Sequence, residues 1–162
     1  MPKLADLKQL FADFEFQKVI DEINQIQDPS LEEIRLKAHS LFELGDFDQA
    51  MMIYENLQMY TNLGFCYILK DDCYQAKMTY LKADPSAAKK WGLFLTLLLS
   101  RCDRVFPGPG FLTFRLFFES TYYYLLKFKK TDYINRINES AHQLKHLYPE
   151  IEKEIKKARS II

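Results

Sequence analysis

One unit occurs twice between Ile34 and Ala83. The stretch AHSLFELGDFDQAMMIYENL, from Ala38 to Leu57, returns as LGFCYILKDDCYQAKMTYLKA, from Leu63 to Ala83. Setting Ala50 on Ala76 brings Tyr54 onto Tyr80, Leu57 onto Ala83, Leu41 onto Tyr67 and Ala38 onto Gly64, always 26 residues apart and without a gap. A fixed period with small residues in fixed places implies units that stack on their neighbours to bury a common core. Ala38 and Gly64 are small where the first helix of a hairpin approaches its partner, and Ala50 and Ala76 are small on the second. Leu41, Tyr54, Tyr67 and Tyr80 fill the adjoining holes. Gly45 suits the left-handed residue that ends a helix, and Asp46 suits the cap of the next.

Small residues, tyrosines and the turn Leu44-Gly45-Asp46-Phe47, in this order, resemble the tetratricopeptide repeat family over Ile34–Leu57 and Leu63–Ala83. The period is shorter than that family's (about 34 residues), and Lys70-Asp71 stands where its turn glycine would be. The resemblance implies an all-α fold of stacked antiparallel helical hairpins, an α-solenoid, with a divergent aromatic-rich C-terminal half. The expectation is one domain over residues 1–162. It comprises a degenerate hairpin (3–29), two clear repeats (31–57 and 58–84), a divergent apolar hairpin (86–130) and capping helices (131–162).

The flanks fit that plan. Leu4, Leu7, Leu10, Phe11 and Phe14, then Phe16, Val19, Ile20, Ile23 and Ile26, recur at helical spacing. Asp28-Pro29-Ser30 closes this hairpin and recurs as Asp84-Pro85-Ser86 after the second clear copy. Proline disfavours helix in the residue before it, and serine can cap the helix that follows. The helix from Ser86 towards Arg101 becomes apolar around most of its circumference, so several sides of it are buried. Phe106-Pro107-Gly108-Pro109-Gly110 reads as a stiff loop. Phe111 to Lys130 follows, with Phe114, Phe117, Phe118, Tyr122, Tyr123, Tyr124 and Phe128. A core helix accounts for such a run; an exposed aromatic shelf, on which two copies could dimerise through Phe111–Phe128, is the alternative. Beyond Pro149, Ile151, Ile155 and Ala158 form a thin apolar stripe suited to a capping helix.

Lysine plus arginine and aspartate plus glutamate each number 22, which speaks against non-specific nucleic-acid binding. The balance hides a gradient. Residues 1–60 carry 5 basic and 12 acidic groups, net −7, and residues 61–162 carry 17 and 10, net +7. An elongated stack with such a dipole favours head-to-tail contacts or an asymmetric partner. The start has no secretory pattern. No apolar run approaches the ~20 residues that span a bilayer. Cys66, Cys73 and Cys102 lack the spacing of a disulfide framework or a zinc site. A cytoplasmic location is expected.

Glu139, His142 and His146 fall on one helix face, and Glu-x-x-His is half of a carboxylate-bridged di-iron pattern. The second half is missing, so no metal and no cofactor is expected; a metal-dependent enzyme built on these three residues is the alternative from another class. Nucleophile elbows, phosphate loops and dinucleotide fingerprints are absent, and a non-catalytic chain is expected. The family resemblance implies protein or peptide binding in the concave groove formed by the first helices. By repeat register the groove residues are Arg35 and His39, then Asn62, then Lys89 if Trp91 takes the register of Ile34. These could hold a peptide carboxylate, while Phe65 and Tyr60 could take apolar side chains. Small three-repeat proteins of this kind also resemble chaperones of bacterial secretion systems, which cradle an export substrate.

Overall fold

A computed structural model describes the chain over residues 2–100 and 111–144. Every regular element among these residues is an α-helix: α1 (Leu4–Ala12), α2 (Phe16–Asn24), α3 (Leu31–Glu43), α4 (Phe47–Asn56), α5 (Tyr60–Leu69), α6 (Cys73–Lys82), α7 (Ala87–Ser100), α8 (Phe111–Lys127) and α9 (Thr131–Leu144). The fold is all-α, with successive helices packed on one another. The expected Phe106–Gly110 loop and the capping helix after Pro149 lie outside the described residues.

The ends of the helices explain the period. Gly45 has φ 81°, and Phe14, Gln58, Asp71 and Lys129 share its left-handed conformation at φ between 55° and 65°. Each belongs to the same pair of hydrogen bonds. At Gly45, the Gly45 amide donates to the Phe42 carbonyl and the Asp46 amide to the Leu41 carbonyl, both at 2.9 Å. The Asp71 and Asp72 amides repeat this towards Ile68 and Tyr67, and the Gln58 and Met59 amides towards Glu55 and Tyr54. These paired bonds satisfy carbonyls that a helix end leaves without partners. Gly45, Gln58 and Asp71 are 13 residues apart. The turn inside a hairpin and the turn between hairpins are therefore the same device, and two such steps make the 26-residue repeat. Asp71 occupies the position of the absent turn glycine and adopts the glycine's conformation, as aspartate does more readily than most residues.

The starts of the helices follow the expected chemistry. Ser30 Oγ accepts from the Glu33 amide, while the Ser30 amide donates to the Glu33 carboxylate at 2.6 Å, a reciprocal cap on α3. Ser86, its counterpart in the second Asp-Pro-Ser, accepts from the Lys89 amide at 3.1 Å. Asp46 and Asp72 each accept from the amide three residues on.

The helices gather into two compact units, Met1–Leu63 and Gly64–Ile162, and the division falls within α5. In the first, Leu7, Val19 and Ile23 form a core against which Leu10, Phe11, Ile26 and Leu36 pack. Full burial of such side chains stabilises by about 1.5–3 kcal/mol each. Beside it, α3 and α4 close on Ala38, Ala50 and Tyr54, all buried. In the second unit Gly64 faces Tyr80. Ala76 and Tyr80 are buried with Trp91, Leu95, Phe118, Leu125 and Ile137, and Ala83 is buried as well. Tyr67 is half-buried.

Over its described side chains α8 sorts cleanly. Phe118, Thr121, Tyr122 and Leu125 are buried, Phe117 and Tyr124 half-buried, and Tyr123 exposed; Phe128, just past its end, is half-buried. Trp91 holds α7 to α8: its indole N–H donates to Thr121 Oγ1 at 2.9 Å, and its ring stacks on Phe117 and meets Phe118 edge-on. The side chains of Phe111 and Phe114 lie outside those described.

Candidate functional site

The residues expected to face a partner are divided between the two units. Arg35, His39 and Asn62 belong to the first; Phe65 and Lys89 belong to the second. Arg35, His39 and Glu43 follow one another at four-residue intervals, so they share one side of α3. Arg35 is exposed and His39 half-buried. Tyr54, on α4, buries its ring against α3 and needs a partner for its hydroxyl. His39 Nδ1 supplies it at 2.8 Å, with the two rings 5.6 Å apart. Burial holds the His39 pKa below its ordinary value of 6.5; the Glu43 charge pulls it back up and the Arg35 charge adds to the lowering. A neutral imidazole beside an exposed guanidinium leaves Arg35 as the cationic group of the pair.

One repeat further on, the position of His39 is taken by Phe65, and the surroundings change from polar to aromatic. Phe65 meets Tyr124 edge-on at 5.9 Å, and Tyr124 stacks on Phe128. Lys127 Nζ lies 5.5 Å from the Phe128 ring centroid, close enough for a cation–π attraction. Asn62 and Tyr60, both on α5, are half-buried. Lys89 Nζ donates to the carbonyls of Ala83 at 2.7 Å and Leu81 at 3.3 Å, which ties α7 to the C-terminal end of α6.

Two features escaped the expectations. Asp71 is gripped by Lys130 through both carboxylate oxygens, at 3.1 and 3.2 Å. The Tyr133 hydroxyl also bonds to it and is the main influence holding its carboxyl below the usual range. The other is the outward side of α6, where Tyr74, Met78 and Leu81 are exposed. Their i, i+4, i+7 spacing, opposite Ala76 and Tyr80, was the available signal.

Glu139 is exposed on α9, whereas the His142 side chain and His146 lie outside the described residues. No group of three potential metal ligands occurs among the described residues, and none of the described helices is long and apolar enough to cross a membrane. Cys66 is buried, which pushes its thiol up to about 12; a thiol held protonated is a poor nucleophile. Comparison with protein-family models, curated proteins and solved structures returns no match for this chain.

Proposed function

We propose that the chain is a non-catalytic module that binds a segment of another protein, a tetratricopeptide-like repeat in architecture and in use. The observation that carries this reading is the pair of faces at one repeat position. His39 and Arg35 present a polar surface in one copy, and Phe65 with Tyr124 presents an aromatic one in the next. The two positions, His39 and Phe65, are half-buried and differ in chemistry while the packing residues around them are kept, which suits the extended surface on which stacked repeats hold another chain. On the first unit Arg35 and Asn62 supply donors for a carboxylate or for peptide carbonyls; on the second, taken by itself, Phe65 supplies apolar contact. Lys89 contributes through α6, whose end it closes, and so shapes the surface indirectly.

Affinity capture from a native lysate, with wild type beside an Arg35→Glu/Asn62→Ala variant, tests the reading. Partners retained by wild type and lost by the variant support it. A set of partners equally retained by both removes the polar face from consideration.

A further inference from the structure

The outward side of α6 is an apolar stripe on a basic helix. Tyr74 is 69% exposed, Met78 41% and Leu81 49%. Lys77 and Lys82 are exposed beside them, and α6 contains no carboxylate. A surface of that kind needs an occupant offering apolar contact and negative charge together. One outward face of this chain does so. On α4 the register equivalents of Tyr74, Met78 and Leu81 are Asp48, Met52 and Glu55, with Met52 67% exposed and both carboxylates exposed. The outward positions of α2, by contrast, are Gln17, Lys18, Asp21 and Asn24, which provide no apolar centre. The wider field has the same sense, since residues 1–63 carry net −7 and residues 64–162 net +7.

We propose that the outward face of α6 docks on the outward face of α4 of a second copy of this chain. The contact joins two different faces, so each copy brings one face of either kind to the association. Met52 would lie among Tyr74, Met78 and Leu81, with Lys77 and Lys82 near Glu55. A single helix face is smaller than a standard stable interface, so association is weak and depends on concentration.

Sedimentation velocity on the full chain, from micromolar to near-millimolar concentration, tests this with two surface variants. One is Met78→Glu/Leu81→Glu on α6; the other is Met52→Gln/Glu55→Gln on α4. All four positions are exposed or flank the exposed stripe, and circular dichroism checks that both variants keep wild-type helicity. Wild type is expected to gain mass as concentration rises. Most of that gain should be lost in 1 M NaCl, where the screening length is about 3 Å. Each variant alone should stay monomeric, and an equimolar mixture should form a one-to-one heterodimer and stop there, because each supplies the face the other lacks. Wild type that is monomeric throughout overturns the proposal. So does an α4 variant that still dimerises, which would mean that α6 pairs with itself, and so does association that survives in both variants separately.

Discussion

Gly92 on α7 lies against the edge of the Tyr80 ring so closely that a Cβ built on it would sit 2.1 Å from Tyr80 Cε1. Carbon atoms in contact prefer about 3.5–4.0 Å. Gly64 on α5 approaches the same ring, with its notional Cβ 2.8 Å from Tyr80 Cε2. A repeat tyrosine therefore packs against two glycines on two different helices, and the space it occupies exists only because neither has a side chain. Gly92→Ala is expected to destabilise the chain by about 1–2 kcal/mol, the strain of overpacking less the gain in helix propensity. Gly64→Ala should act in the same direction and more weakly. Adding Tyr80→Leu to Gly92→Ala should recover part of the loss, and a double-mutant cycle on urea denaturation midpoints measures the coupling.

Four of the five left-handed helix ends among the described residues carry a side chain that this conformation penalises. Gln58 has φ 55° and is exposed, so Gln58→Gly relieves strain without removing packing. A gain of about 1 kcal/mol is expected, seen as a higher denaturation midpoint at unchanged slope. The reverse change, Gly45→Ala at φ 81°, should lose about the same amount.

The pH dependence at His39 has a definite sign. Its folded-state pKa lies below the ordinary 6.5, chiefly through burial, so the unfolded chain binds the proton more readily. Stability from this residue is complete above pH 6.5 and is lost as the pH falls from there towards the folded-state value. The thermal midpoint of wild type should therefore drop more between pH 7 and pH 5 than that of His39→Gln, which can still reach Tyr54 but does not titrate. Equal slopes for the two proteins would discard the assignment.

Trp91 is the single tryptophan, 4% exposed, and its N–H ends on a buried threonine. Its native fluorescence should be blue-shifted and poorly quenched by acrylamide, moving red on unfolding. Trp91→Phe removes the donor and leaves the Thr121 hydroxyl buried without it; a loss of about 1–3 kcal/mol is expected in the same denaturation assay.

Much of the fold could be read from local chemistry. Ser30 and Ser86 cap because a hydroxyl one residue before a helix meets its unpaired amides, and Gly45 turns because it lacks a Cβ; neither depends on distant residues. The burial of Ala38, Ala50 and Ala76 was legible too, since a small residue kept at a fixed period marks close approach. Other features depended on partners that the order of residues does not name. Nothing local distinguishes Gly92 from any helical glycine until Tyr80, twelve residues earlier, is folded against it. Nothing local shows that Lys89 turns back to the end of α6, or that Tyr123 faces out while Tyr122 faces in. Helix ends and repeat spacing belong to the sequence because their energies are settled within a turn or two of chain. Which side chains are left exposed was decided by the tertiary structure, because exposure is what remains after distant helices have packed.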